Sequence, residues 1–319
     1  MNILIVRNDK LGDFITALPA CYILKQHLPD CRITVLISPI NQSIAEACDF
    51  IDDVIVDTGQ SSTQLAKILK QHHFDLSFTL FSNTRVALAQ FLARIPRRIA
   101  PATKVAQVFY NKRITQRRSQ VKMAEFEYNM ALIQSAFPDM DTNYPQPLLQ
   151  LAKNDALTQE GKHIITFHCG FGGSSDANWT VSEYIELAKS IVDIANIQIL
   201  FAFGPGDEAF LAEFEKNKGE LNAQTYVSKA SVADFSALIA SFSLFISTST
   251  GTFHLASAVG TPTMTFFADS LFASSQRWKG IGDESLQHNY MLPQGKKERQ
   301  DMFETVKNDL KELVQKLTA

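Results

Sequence analysis

No apolar run in this sequence reaches the ~18 residues that a membrane-spanning helix needs. The opening MNILIVRNDKLGD meets charge after a four-residue apolar run, as a buried strand does and a signal peptide does not. Cysteine is scarce. Cys21, Cys31, Cys48 and Cys169 form no CxxC pair, and no His/Cys cluster has zinc spacing, so the thiols read as free and buried in a reducing compartment. No GxGxxG follows a strand, which argues against a dinucleotide oxidoreductase. The net charge of -3 and the lack of any recognised motif argue against a nucleic-acid module.

What is present is apolar mass in short blocks. Hydrophobic residues make up 45% of 319, enough for two domains of ordinary size. Strands are expected at Ile3–Val6, Arg32–Ile37, Asp53–Val56 and Asp75–Phe81, separated by helix-like segments at 14–28, 44–48 and 64–72. A longer helix is expected over 123–137, and Tyr144-Pro-Gln-Pro147 is the best linker. The pattern then repeats, with strands at 163–167, 198–203, 244–246 and 263–267, and a terminal amphipathic helix over 299–317. Short apolar strands alternating with helices give βαβ units and parallel sheets. The expectation is α/β: two Rossmann-like domains, 1–150 and 151–319. The terminal helix, about 299–319, is a candidate to pack back on the first domain.

Ligands of such sheets bind at the carboxyl ends of the strands, so three loops carry the chemistry. In FISTSTGTFHLASAVGTPTMTFF, residues 245–267, a strand runs into five hydroxyls and Gly251 and then a helix. Helix-start N–H groups, the helix dipole and hydroxyls make an anion site, and Gly251 permits close approach. The same residues also fit an ordinary Ser/Thr cap. His254, in the first helical turn, could donate to a diphosphate oxygen or simply be packed. The loop His168-Cys-Gly-Phe-Gly-Gly-Ser-Ser175 resembles a phosphate cradle in composition but matches neither GxGxxG nor GxxxxGKS/T. In Arg7-Asn-Asp-Lys-Leu-Gly-Asp13, Asp13 opens a helix as either a capping carboxylate or a general base. Asp139-Met-Asp141 fits the metal-binding DxD pattern but follows a helix and not a strand, so no metal is expected. Between Arg85 and Lys122 there are ten Lys/Arg and no Asp or Glu, with Phe91, Phe109 and Tyr110 among them. This stretch reads as a solvated basic face or as a site for an anionic partner.

Together the segments resemble glycosyltransferase family 9, the ADP-heptose:lipopolysaccharide heptosyltransferases. ILIVRNDKLGDFITALPACYILKQHLP is similar to the family's first βα unit. HCGFGGSSDANWTVSEYIELAKSI is similar to its His-x-Gly…Trp segment, and STGTFHLASAVGTPTMTFF to its (Asp/Ser)-(Ser/Thr)-Gly-x-x-His-x-x-x-Ala-x-x-x-Pro segment. The resemblance implies a GT-B fold, with the two domains facing across a cleft, and an inverting, metal-independent transfer without a cofactor. A sugar, heptose first, would pass from a nucleotide-sugar such as ADP-heptose to a lipopolysaccharide or lipooligosaccharide core. The enzyme would be cytoplasmic and peripheral to the inner membrane of a Gram-negative bacterium. Asp13 would be the base. Gly170, Ser174, Ser175, Glu208, Ser249, Thr250, Gly251, Thr252 and His254 would hold the donor, and Arg85, Arg97 and Arg98 the anionic glycolipid acceptor.

Two departures stand out. Ser249 occupies a position where many relatives have Asp near the donor sugar. Asp176, Ala177 and Asn178 precede Trp179 where many have a cation, a role open to Arg277 or Lys279. The alternatives are transfer from another nucleotide-sugar, an epimerase or hydrolase on the same fold, and a non-catalytic relative that only binds ligand.

Overall fold

The computed structural model describes residues 1–170 and 178–319, which divide into two compact units, Met1–Pro145 and Gln146–Ala319. In the first unit the strands are β1 (Asn2–Arg7), β2 (Arg32–Ile37), β3 (Asp53–Val56), β4 (Leu76–Thr79), β5 (Arg97–Pro101) and β6 (Lys112–Ile114). They are parallel, in the order β3-β2-β1-β4-β5-β6. Their helices are α1 (Leu11–Ile15), α2 (Leu18–His27), α3 (Gln42–Glu46), α4 (Ser62–Gln71), α5 (Thr84–Leu92) and α6 (Glu125–Gln134). In β1 both alternating sets, Leu4/Val6 and Ile3/Ile5, are buried. Both faces of the sheet are therefore covered, which is why β1 reads as an unbroken apolar run. Leu65 and Leu69 of α4 and Val86 of α5 close over Leu4 and Val6.

The second unit contains β7 (His163–His168), β8 (Ile197–Phe203), β9 (Gln224–Val227), β10 (Leu244–Thr248), β11 (Thr263–Ala268) and β12 (Gln287–Leu292). Its order, β12-β11-β10-β7-β8-β9, repeats the topology of the first sheet. Its helices are α7 (Val181–Lys189), α8 (Glu208–Asn217), α9 (Val232–Ile239), α10 (Gly251–Ala258), α11 (Ser275–Trp278) and α12 (Lys296–Thr318). Thr180 starts α7 with a capping box to Glu183, the reciprocal bonding that fixes a helix start. The stripe Phe303, Val306, Leu310 and Val314 buries α12 in the core of the second unit itself, with Trp179, Phe266 and Leu292.

Each strand order reverses direction next to its first strand. The switch points lie between β1 and β4 and between β7 and β10, the places where open α/β sheets bind ligands. The loops after β1, β7 and β10 therefore all leave a sheet where a ligand is expected.

Four strands were not legible in the sequence: β5, β6, β9 and β12. Two of them carry charged or proline residues, RRIAP and KRI, and the exposed β9 and half-buried β12 show no apolar run. The segment expected as one helix over 14–28 is two, because Pro19 has no N–H to continue a helix and sits instead in the first turn of α2. The basic stretch is not one face. It contains α5, β5, a 3-10 turn at Val105–Phe109 and β6.

Candidate active site

At the carboxyl end of β1 the chain turns through Asn8, Asp9 and Lys10 into α1. Asp13 lies in the first turn of that helix, yet α1 has no side-chain cap. The Asp13 carboxylate instead accepts from Arg7 through Oδ1, 2.5 Å from Nη2. Arg7 is 3% exposed and spends its whole fork on neighbours. Nε donates to Asp9 at 3.0 Å, and Nη1 lies 3.2 Å from Glu125 Oε1 and 3.5 Å from Asn129 Oδ1. Burial opposes the Arg7 charge, but Asp9, Asp13 and Glu125 outweigh it and raise its pKa.

Glu125 also accepts from Arg118, and Asn129 donates to the Thr16 carbonyl at 3.0 Å. The Thr16 hydroxyl in turn donates to the Asp13 carbonyl at 2.7 Å. Helix α6 thus braces the loop from more than a hundred residues away. Sequence reasoning missed Arg7, Asp9, Glu125 and Asn129 as members of this site. The available signal was a charged residue ending a wholly apolar strand, since a buried charge requires partners.

Arg85 enters the same neighbourhood. It bonds Asp57, which also accepts from Asn8, and it donates to the Gln60 carbonyl at 2.8 Å. Burial would raise the Asp57 carboxyl, but hydrogen bonds from Arg85, Asn8 and the Gly59 N–H hold it below its ordinary value. Arg97 and Arg98 do not join them. They pair in register with Leu76 and Ser77, at the amino end of β5 and opposite to the Asp13 loop. Arg98 donates to the carbonyls of Phe109, at 2.8 Å, and Ile95, bracing its own turn.

The second unit has a different chemistry at its switch point. Thr250 precedes α10 in an extended conformation and makes no side-chain cap bond; its hydroxyl lies 2.9 Å from that of Thr252. The first N–H groups of a helix have no partner within it, and here no side chain caps them, while two hydroxyls stand beside them. Ser249, Gly251 and Thr252 are partly exposed, whereas Ser247 and Thr248 are fully buried in β10. His254 is buried, with its ring 4.8 Å from Phe253 and 6.3 Å from Trp278. Arg277, also buried, lies over the rings of Phe272 and Trp278 at 3.6 and 4.7 Å. A cation is thereby placed beside the aromatic neighbour of His254. Lys279 is 2.5 Å from Glu284.

At the end of β7, His168 Nδ1 lies 3.1 Å from the Gly170 carbonyl, and Nε2 is 3.8 Å from Asp207. Burial lowers the His168 pKa against the opposing pull of Asp207, so the ring is neutral at pH 7 and Nδ1–H donates. Asp207 accepts from the Gly204 N–H at 2.7 Å. A Cβ at position 170 would stand 2.1 Å from Asp207 Oδ1, so glycine is needed there for the carboxylate to fit. Glu208 is exposed at the start of α8, and its carboxylate lies 3.3 Å from the Gly206 N–H. Ser174 and Ser175 lie outside the described residues. A cavity of about 640 Å³, lined by Lys162, Lys189, Gln198 and Glu220 among others, opens at the amino ends of β7–β9, away from all these loops.

Comparison with known proteins follows the same lines. The model of glycosyltransferase family 9 (heptosyltransferase) matches residues 62–307. A putative glycosyltransferase of Haemophilus influenzae is 32% identical over 318 residues, covering 94% of this chain and 92% of that protein. Lipooligosaccharide heptosyltransferase 2 of Campylobacter jejuni is 23% identical over 274 residues, covering 84% and 81%. Among solved structures, E. coli ADP-heptose lipopolysaccharide heptosyltransferase II has a TM-score of 0.80 at 18% identity, over 100% of both chains. E. coli heptosyltransferase WaaC with ADP has a TM-score of 0.76 at 18% identity, over 98% and 100%.

Proposed function

The chain belongs to glycosyltransferase family 9, the heptosyltransferases, and from that premise we propose that it moves heptose from ADP-heptose to a hydroxyl of a lipopolysaccharide or lipooligosaccharide core. Its fold is GT-B and it is a glycosyltransferase. The relatives named as heptosyltransferases support the donor and acceptor classes. The observation that carries the reaction is Asp13, held through one carboxylate oxygen by a buried arginine at a switch point. Its other oxygen is the one offered to the acceptor.

In this reading the acceptor oxygen attacks the anomeric carbon as Asp13 takes its proton. The bond from that carbon to the diphosphate oxygen breaks, the electron pair leaves on the diphosphate, and the configuration inverts. Asp13 then gives its proton to solvent. The leaving diphosphate is met by Ser249, Thr250, Gly251 and Thr252 at the start of α10, by Gly170 at the end of β7, and by His254, with Arg277 nearby as the cation. Glu208 faces the nucleotide ribose. Neither a metal nor a cofactor takes part, since N–H groups, hydroxyls and a guanidinium carry the charge of the leaving group. With the base on one unit and the donor on the other, turnover depends on bringing the two substrates together.

The acceptor's phosphate and carboxylate groups are met by Arg85 and by the basic residues after β5 and β6, Lys104 and Arg117. Arg97 and Arg98, at the other end of the sheet, do not take part. No helix among the described residues is long and apolar enough to cross a membrane. A peripheral position on the cytoplasmic face of the inner membrane is supported by the exposed side chains of Phe91, Val105 and Val108, at 49%, 74% and 64%.

The test is a transfer assay with ADP-heptose and a heptose-deficient core acceptor. Asp13→Ala is expected to lose about 100- to 10,000-fold in transfer, the range of general-base catalysis, while binding ADP as the wild type does. Turnover like that of the wild type in this variant overturns the assignment of the base.

A further inference from the structure

Arg7, Arg118, Asp9, Asp13 and Glu125 form one connected cluster, two guanidinium groups against three carboxylates. With every member ionised it carries one net negative charge, and a single proton makes it neutral. The members are not equivalent. Glu125 is 3% exposed and is held by both arginines. Asp9 and Asp13, at 12% and 20%, are the two that approach the surface, and both are held by Arg7, at Nε and Nη2. They compete for one guanidinium.

Among the described residues Asp9 is faced by Arg7 from β1 at 3.0 Å, Asp13 from α1 and Glu125 from α6, with Arg118 behind Glu125. The Ser38 hydroxyl donates to the Asp9 backbone carbonyl at 2.7 Å and fixes the loop. Lys10, next in the chain, is exposed.

We propose that Asp9 is a positioning residue for the base: its ionised carboxylate draws on Arg7 and so leaves Asp13 able to accept the acceptor's proton, and protonation of Asp9 switches that ability down. This rests on the reading of Asp13 as the base. The physical reason is charge sharing. A carboxylate is a weaker proton acceptor the fewer anions share its guanidinium, and with Asp9 neutral Asp13 shares Arg7 with Glu125 only. A proton that enters this cluster from solvent has Asp9 as its site. Burial, and then the neighbouring Asp13 and Glu125 charges, push its carboxyl up to about 7 against the pull of Arg7. The enzyme accordingly gains activity as pH rises through about 7.

Asp9→Asn tests this, because the amide keeps an acceptor for Arg7 Nε and cannot ionise. In the wild type kcat/KM should fall on the acid side with an inflection near pH 7. In Asp9→Asn that inflection should vanish, leaving a flat profile between about pH 6 and 8 at the low wild-type acid level, several-fold below the wild-type value at pH 8. Asp9→Glu should restore the inflection. Carboxyl NMR of 13C-aspartate-labelled protein should show one resonance titrating near 7 that is absent from Asp9→Asn. Retention of the inflection in Asp9→Asn, or absence of that resonance from the wild type, overturns the proposal. Asp13→Ala, run alongside, separates the two ideas. If it is inactive while Asp9→Asn keeps the inflection, only the role of Asp9 fails; if it turns over normally, the base itself is wrong.

Discussion

The two units share one strand order and place a loop at the same topological point, yet they fill it with opposite chemistry. In the first, a buried guanidinium gathers carboxylates of Asp9, Asp13 and Glu125. In the second, a helix start with no side-chain cap presents N–H groups and the paired hydroxyls of Thr250 and Thr252. The fold fixes where a ligand can sit and leaves open which one. A cluster with excess negative charge suits taking a proton from a neutral sugar hydroxyl. Neutral donors suit a diphosphate that arrives already charged and leaves with more charge on one oxygen.

This contrast can be broken at three places. The largest effect belongs to the charged half. Arg7→Met strands two carboxylates beside an apolar side chain, and breaking a buried pair on one side costs about 3–5 kcal/mol. Urea unfolding should show a loss of that size, and a loss below about 1 kcal/mol would mean that water already does the work assigned to Arg7. In the second half, Gly170→Ala drives a Cβ into Asp207. The carboxylate must give up the Gly204 N–H, at a cost of about 1–2 kcal/mol in the same measurement. An unchanged midpoint would show that this contact relaxes freely. The smallest effect is Thr250→Val, which removes one neutral hydroxyl. ADP affinity by calorimetry should fall by about three- to tenfold, the worth of one such hydrogen bond. No change would take the Thr250 hydroxyl out of the anion site.

The sequence carried every inner strand but β5, the edge strand β3, and the positions of all three loops. β1, β2, β7, β8, β10 and β11 lie near the middle of their sheets, are covered on both faces, and are therefore written as apolar runs. The outer strands β6, β9 and β12 have fewer buried neighbours, so their residues are constrained less and the pattern fades. Within the site, Asp13 and the residues around Gly251 were visible because they stand beside a strand end and a helix start, both local features. Arg97 and Arg98 were grouped with Arg85 by charge and proximity in sequence. The register of β5 separates them by the length of the sheet.

Sequence alone thus determined the class of this protein, its two-fold repetition of strand and helix, and which loops carry polar chemistry, because each is encoded in residues close together in the chain. Only the tertiary structure decided what those loops can do. Arg7 reaches Glu125 across 118 positions and Gly170 meets Asp207 across two strands. Whether a carboxylate is a cap, an ion-pair partner or a base depends on charges brought within a few ångströms by folding.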